Sequence, residues 1–333
     1  MSAQGSGRIL APPPPDRLQE LAAPPSFSVI LIAYQAAETV GEAVRSALAQ
    51  THPAHEVIVV DDGSTDDSAS ALRPFEGDIT LIRKDNGGAA SARNVGLAAA
   101  TGEFVAFLDA DDRFHPKRIE CLAELARRRP DLDMLSTDMV FIVDGEEVGS
   151  FLADNPFAVV DQRIEIMKSC FVGAPPAVRA ERLRAIGGFD ESLRVASDWD
   201  GWLRLILDGA GAGLVERPYY EYVLHSGTLT SGRVDSLWAR ARLLEKAVAN
   251  PAVRADELPL LERQIRRRRS EAVVAEAQAG AAGRRRFAGL AVSPRLTLRA
   301  RLAAVLALVS PALARRRLRS RRAPAARLAS AGG

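Results

Sequence analysis

The sequence predicts an α/β domain built on a mostly parallel sheet with flanking helices, followed by a helical extension. Three observations predict it. Short β-branched runs alternate with helical segments between residues 27 and 108, the strand runs are almost continuously apolar, and from about Asp235 onward the pattern is almost wholly helical. Strands without polar alternation are buried on both faces, which is the mark of parallel pairing with covering helices.

The elements follow in order. Residues 1–25 are rich in Pro, Gly, Ser and Ala, with a run at Pro12–Pro15, and are expected to form a disordered or polyproline leader. Strands are expected at residues 28–34, 56–60, 79–83 and 103–108, and helices at 38–50, 66–75 and 89–99. In such a sheet, ligands bind beyond the carboxyl ends of the strands. Each of these strands ends in polar residues: Tyr34-Gln35, Asp61-Asp62, Lys84-Asp85-Asn86 and Asp109-Ala110-Asp111-Asp112. Four polar ends on one rim make a site. Further on, residues 115–129 read as a helix with Pro116 in its first turn. Residues 134–143 and 147–152 read as a hairpin about Asp144-Gly145, 162–170 and 199–207 as helices, and 213–225 as an extended segment. The expected organisation is a leader over 1–25, a main domain over 26–233 with halves meeting near 112, and an arginine-rich helical extension over 234–333.

A chain of 333 residues has room for one catalytic domain of about 220–250 residues and an appendage. A formal net charge of +2 argues against a dedicated nucleic-acid binder, but the charge is unevenly placed: no Asp or Glu follows Glu276, while thirteen arginines do. Basic and apolar residues together in that tail fit either a helix lying on an anionic membrane or a helical appendage with a solvated arginine face. Two cysteines, Cys121 and Cys170, give neither a disulfide framework nor a metal pair. With no basic-then-apolar leader at the N-terminus, a cytoplasmic protein is expected, peripheral at the inner face of the plasma membrane if the tail binds lipid. The longest apolar run, residues 302–309, is far short of the ~20 residues that span a bilayer.

Three loops carry candidate chemistry. In Asp61-Asp62-Gly63-Ser64, a carboxylate at a strand end can accept from base N–H or ribose hydroxyl groups, although Ser64 or Thr65 also suits a helix cap. In Asp109-Ala110-Asp111-Asp112, three acids follow an apolar strand. That concentration of charge costs stability unless a cation offsets it, and hard Mg²⁺ or Mn²⁺ favours carboxylate oxygen while keeping positions open for phosphate. The segment from Asn86 through Gly87, Gly88 and Arg93 to Gly96 puts paired glycines ahead of a helix, where backbone N–H groups meet anions. It matches neither common phosphate-loop pattern, and Arg93 and Asn94 are equally suited to bracing the helix.

Read together, FSVILIAYQAAETVGEAVRSALAQT, EVIVVDDGSTDDS, NGGAASARNVGLAAATGEFVAFLDADD and IGGFDESL resemble the family 2 inverting glycosyltransferases with the GT-A fold. The resemblance covers roughly residues 27–230, with four motifs in the family's order. It implies a nucleotide-binding half over 26–112 and an acceptor half over 113–233. It also implies a nucleobase stacked on Tyr34 and contacted by Asp62, ribose at Asp109, and a divalent cation on Asp111 or Asp112. Asn86, Arg93 and His225 fall on the donor side, and Asp198 matches the catalytic base.

Three departures stand out. Ser197 replaces the usual Glu before the base, Ile32 stands where the family often has Pro or Thr, and Val223 replaces an Arg in the Tyr222-Val223-Leu224-His225 segment ahead of Thr228 and Thr230. Ser197-Asp198-Trp199-Asp200 is also a credible helix cap.

The implied reaction moves a sugar from a nucleoside diphosphate, UDP being the commonest in the family, to a hydroxyl of a cell-surface glycan or lipid-linked acceptor, with inversion. The cation neutralises the leaving diphosphate and the base takes the acceptor proton. Two alternatives share such a domain. A nucleotidyltransferase would carry a Gly-rich, basic signature after the first strand, where this chain has Tyr34-Gln35-Ala36-Ala37; a catalytically silent binding module would not need both the acid run and Asp198.

Overall fold

In a computed structural model, residues 7–224, 233–279, 284–310 and 314 are described. The chain divides into two compact units, Met1–His225 and Ser226–Gly333.

The first unit is a mixed sheet. Its parallel part is formed by β2 (Phe27–Ala33), β3 (Glu56–Asp61), β4 (Thr80–Arg83) and β5 (Phe104–Asp109), in the spatial order β5-β2-β3-β4. These are the four apolar runs of the sequence. Val29, Ile30, Val59, Val60, Val105 and Leu108 are completely buried, as strands covered on both sides require. The sheet continues past β5 through β9 (Ala177–Arg179), antiparallel to both neighbours, to β7 (Met134–Val143) and β10 (Ala212–Leu224), which run parallel to each other. The short β6 (Arg113–Phe114) pairs with β10 at Tyr220 and Glu221, and β8 (Glu146–Ser150) with β7.

The helices α1 (Val40–Leu48), α2 (Ser68–Leu72) and α3 (Ala89–Ala99) connect the parallel strands, and α4 (Arg118–Arg128) follows the acid run. Pro116 lies ahead of α4 rather than in its first turn; the His115 carbonyl accepts from Arg118 N at 2.9 Å and closes the preceding turn. Five short elements were not expected: β1 (Ile9–Leu10), β6, β9, α7 (Ala180–Ala185) and a helix turn at Phe151–Asp154, which takes Phe151 and Leu152 out of the strand expected at 147–152. The helices α5 (Phe151–Asp154), α6 (Gln162–Lys168) and α8 (Ser197–Leu207) complete the unit.

The leader expected to be disordered is held to the fold at Ile9–Leu10 and at Glu20 and Leu21, while residues 1–6 lie outside the described residues. Ile9 and Leu10 form β1, pairing antiparallel with Val215 and Leu214 at the edge of β10. Leu21 N donates to Arg127 O at 2.9 Å, and Glu20 pairs with Arg127 at 2.7 Å. Proline content argued for a solvated chain, but the edge of β10 offered unpaired backbone groups, and filling them outweighs the composition.

In the second unit the helices Arg233–Ala247, Leu258–Ala279, Arg284–Val292 and Leu298–Val309 gather around Val273, Ala277, Phe287, Leu296 and an alanine face. Thr297 caps the last helix, its side chain accepting from Ala300 N, and its own N–H donates to Ser270 Oγ at 2.9 Å.

One close approach sets how the parallel sheet carries its site. Helix α3 lies so near β2 that a Cβ on Gly96 would stand 2.3 Å from Ile30 Cγ2, a branched core atom with no room to withdraw. Gly96→Ala is therefore expected to destabilise the chain by about 1–3 kcal/mol. Gly289→Ala, in a helix with nothing near the added carbon, is expected to leave stability unchanged or raise it by up to about 1 kcal/mol. Thermal or urea unfolding of the two variants checks the contrast.

Candidate active site

The parallel register brings the polar strand ends together. Ile32 lies opposite Asp109 on β5, and Ala33 opposite Asp61 on β3, so the chain leaving β2 passes between two acidic ends. A cavity of about 830 Å³ opens there, lined among others by Ile32, Tyr34, Asp66, Asp109, Ala110 and Asp111. That volume is within the range of small-molecule sites. Tyr34, on the same wall, is 54% exposed.

Gln35 braces the cavity wall. It adopts a left-handed backbone with φ 52°, a conformation costing a non-glycine residue on the order of 1–3 kcal/mol. Its amide oxygen accepts from Thr65 N at 2.7 Å and Asp66 N at 3.2 Å, and its own N–H donates to Ser64 Oγ at 3.0 Å. Ala36 N and Ala37 N donate to Ser68 Oγ and Asp66 Oδ2 at 2.9 and 3.1 Å. These bonds lock the loop after β2 to the loop after β3.

Asp62 is buried and holds the next loop. Its Oδ1 accepts from Lys84 Nζ at 2.7 Å and Gly87 N at 3.0 Å, and its Oδ2 from Gly88 N at 2.7 Å. The paired glycines ahead of α3 thus do turn their N–H groups to an anion, and within the chain that anion is Asp62. Asn86, just before them, is exposed.

The acid run after β5 separates into distinct environments. Asp109 Oδ1 accepts from Arg93 Nη2 at 2.9 Å. Burial works against the Arg93 charge, but Asp109 and then Asp198 outweigh it and hold its pKa above the ordinary arginine value. Asp111 is exposed on the cavity wall. Asp112 is turned inward: its Oδ2 accepts from the Tyr220 hydroxyl at 2.6 Å and its Oδ1 from Val223 N at 2.9 Å. Burial, followed by the charges of Asp109 and Asp111, pushes its carboxyl well above the usual range.

Tyr220 is in turn seated on Arg118. This fully buried guanidinium stands 4.9 Å from the ring centres of both Phe114 and Tyr220, donates to Thr137 Oγ1, and reaches Pro175 O at 2.7 Å. Burial draws its pKa down to about 10.

Asp198 lies in the first turn of α8, after Ala196, which takes a left-handed φ of 61°. Among the described residues the Asp198 carboxylate takes one hydrogen bond, from Trp199 N at 2.7 Å. Asp200 serves the fold instead. It pairs with Arg204 at 2.7 Å, and Arg204 donates to Ile186 O and Gly188 O at 2.8 and 2.7 Å.

The loop preceding α8 is also stapled by Asn94. Its amide donates to Phe189 O at 2.8 Å and Glu191 Oε1 at 2.9 Å, while its oxygen accepts from Phe189 N at 2.8 Å. Gly188, at φ 69°, leaves the space this needs, since a Cβ there would stand 2.5 Å from Asn94 Oδ1. Adjacent residues of α3 therefore hold two parts of the site, Arg93 the acid run and Asn94 the segment leading to Asp198.

Tyr222 lies within electrostatic range of four acids. Burial raises its pKa, as do the charges of Asp112, Asp109, Asp111 and Asp198. His225, with Thr228 and Thr230, lies outside the described residues. Sequence reasoning missed Tyr220, Arg118 and Gln35. A buried arginine in a helix looks like a solvated one, and the tyrosine is marked only by the strand that carries it.

The donor set can be tested for a divalent cation. Among the described residues no group of three or more His, Cys, Asp or Glu forms a cage. Asp109 and Asp111 stand on the cavity wall, which Glu38, Asp66 and Asp67 also line, and one or two carboxylates completed by substrate phosphate is the arrangement that Mg²⁺ and similar ions take. The residues fit such an ion.

Comparison with known proteins gives a concordant picture. Residues 28–171 match the family model described as Glycosyl transferase family 2. The chain is 31% identical over 229 residues to the succinoglycan biosynthesis protein ExoU of Rhizobium meliloti, covering 63% of this chain and 65% of that protein. It spans about six-tenths of the length of three curated relatives, 59%, 58% and 65%. Among solved structures, S. aureus TarS 1-349 in complex with UDP-GlcNAc aligns with TM-score 0.61 at 21% identity, over 89% of this chain and 93% of that one. The mannosyltransferase PcManGT of Pyrobaculum calidifontis, in complex with GDP-Man and Mn²⁺, aligns with TM-score 0.52 at 22% identity, over 89% and 92%. The GT-A-type fold is common to them.

The Tyr220–Asp112 bond closes β10 against the end of β5, far apart in sequence. Tyr220→Phe keeps the ring on Arg118 but removes the donor from a buried carboxyl. It is expected to lower stability by about 1–3 kcal/mol, read as a lower urea midpoint.

Proposed function

We propose, on the premise that this chain is a family 2 glycosyltransferase, that it transfers a sugar from a UDP-linked donor to a hydroxyl of a growing cell-surface polysaccharide or lipid-linked glycan, with inversion. The observation that carries the reading is the cavity at the carboxyl ends of β2 and β5, with Tyr34 and the acids Asp109 and Asp111 on its wall. The charge of Asp198 also acts on Arg93, which pairs with Asp109, and on Tyr222, which feels both acids. Support for the donor class comes from the fold shared with TarS, solved with UDP-GlcNAc, and with PcManGT, solved with GDP-Man. Support for the acceptor class comes from the succinoglycan biosynthesis relative.

The roles then divide among the residues. Tyr34 offers an exposed ring face for the nucleobase. Asp62 contacts the base with the lone-pair capacity that Lys84, Gly87 and Gly88 leave it. Asp109, steadied by Arg93, accepts from ribose hydroxyls, and Asn86 and His225 complete the donor side. Asp111 holds the divalent cation, Mn²⁺ or Mg²⁺, which when bound offsets negative charge on the diphosphate. Asp112, already committed to Tyr220 and Val223, positions that neighbour instead.

Asp198 accepts the proton of the acceptor hydroxyl as its oxygen attacks the anomeric carbon. The new C–O bond forms as the bond to the diphosphate breaks on the opposite face, so the configuration inverts and the diphosphate leaves with the bonding pair. Arg93 stays paired with Asp109 throughout and keeps the acid run in register with α3.

Two variants test this assignment. Asp198→Asn is expected to lower kcat by roughly 10²–10⁴-fold while UDP binding, followed calorimetrically, stays within about twofold. Tyr34→Ala is expected to do the reverse, weakening UDP binding by roughly tenfold or more with a smaller effect on turnover at saturation. Near-normal turnover in Asp198→Asn removes that residue from the role. Absence of any UDP-sugar hydrolysis or transfer with Mn²⁺ across a donor panel, with nucleotide still bound, identifies a binding module instead.

A further inference from the structure

We propose that the helix Leu298–Val309 docks this chain on an anionic bilayer surface, its apolar stripe entering the interface and its flanking arginines meeting lipid phosphate. The helix is inverted relative to an ordinary surface helix. Alanines Ala300, Ala303, Ala304 and Ala307 face inward and are buried, whereas Leu298, Leu302, Val305 and Val309 are 69%, 55%, 41% and 67% exposed. At about 100° per residue, these four positions fall within a sector of roughly 60°. A soluble unit with a free choice of sides would bury the leucines and show the alanines.

Charge decides what covers the stripe. The spacing of four, three and four residues is also that of a coiled-coil seam, so a second copy of this chain is the competing occupant. In that pairing Arg299 and Arg301 take the two positions bordering the seam, and the residues that face them in a parallel second copy, Pro294 and Leu306, offer no acid to pair with them. No acid is available to relieve them, since none follows Glu276. The helix is also less than two heptads long, too short for a stable seam by itself.

An anionic membrane meets both features at once. The stripe enters the headgroup boundary, while exposed Arg295 and Arg299 lie at its near end and along its side. Arg301, whose Nε is held on Ala291 O at 3.1 Å, borders the other side. Val292, 72% exposed, adds apolar surface just ahead of the helix. Among the described residues no helix is long and apolar enough to cross a membrane, so the contact lies in the plane of the interface.

Flotation of the full chain with phosphatidylglycerol–phosphatidylcholine vesicles, and with phosphatidylcholine alone, tests this. The chain is expected to float with the anionic vesicles and to stay below with the neutral ones. Leu302→Asp/Val305→Asp changes only exposed positions and is expected to lower vesicle affinity by roughly tenfold or more, with the circular dichroism spectrum unchanged. Leu298→Ser/Val309→Ser, at the helix ends, serves as the second apolar variant should the first fail to fold. Arg295→Gln/Arg299→Gln is expected to weaken binding and flatten its salt dependence. No flotation, equal flotation on neutral vesicles, or flotation indifferent to the apolar substitutions overturns the proposal. So does a dimer in light scattering that the Asp variant converts to monomer while vesicle binding stays the same, because a second copy then covers the stripe.

Discussion

Three carboxylates within four residues at the end of a buried strand impose the constraint on which the rest of the first unit turns. Like charges so close cannot all be buried or all be idle. The structure divides them by partner: Asp109 goes to Arg93, Asp112 goes inward to Tyr220 and Val223, and Asp111 stays on the cavity wall. Each partner comes from a different element, α3 or the far strand β10. The run therefore acts as a fastener between the parallel half of the sheet and its continuation, and the cavity lies where the fastening leaves one acid outward.

Helix α3 carries that division to the other end of the site. Arg93 and Asn94 are neighbours on the helix, yet one reaches the acid run and the other the Phe189 backbone ahead of Asp198. The Gly96 approach to Ile30 fixes the height of the helix over β2, so both contacts depend on one packing distance. Displacing α3 would shift the donor side and the proposed base together. An aromatic group of Phe107, Phe189 and Trp202, with ring centres 5.3 to 6.2 Å apart, stiffens the same junction from below.

The sequence made the parallel strands legible because they are buried on both faces and carry little polar interruption. It did not make β9 legible: three residues, Ala177–Arg179, hold no period, and they are a strand only because β5 and β7 leave a gap of that width. The leader was misread for a related reason, since Ile9 and Leu10 are ordered by the edge of β10 and not by their own composition. Within the site the acids at the strand ends are legible in the sequence and their partners are not. Asp111 and Asp112 look alike in the sequence, and what separates them is a tyrosine 108 positions away from Asp112. In the last helix, alanine, leucine and valine recur on every side, so hydrophobic periodicity alone does not say which face turns inward.

The same reasoning separates the two acids at the start of α8. Both Asp198 and Asp200 lie in the first turn, and a cap reading of the sequence treats them alike. Asp200 is buried against Arg204, and through Arg204 it holds the carbonyls of Ile186 and Gly188, so protonating or removing it would release the loop. A group that anchors structure in this way is poorly placed to give and take a proton during turnover. Asp198 takes only its own helix's Trp199 N–H among the described residues, and its charge is felt at Arg93 and Tyr222. The absence of the usual acid at Ser197 sharpens the point, since Ser197 is buried and no third carboxylate competes in that turn. Of the two acids in the first turn, Asp198 is the lightly committed carboxylate, which suits the proposed role of a base for an incoming hydroxyl.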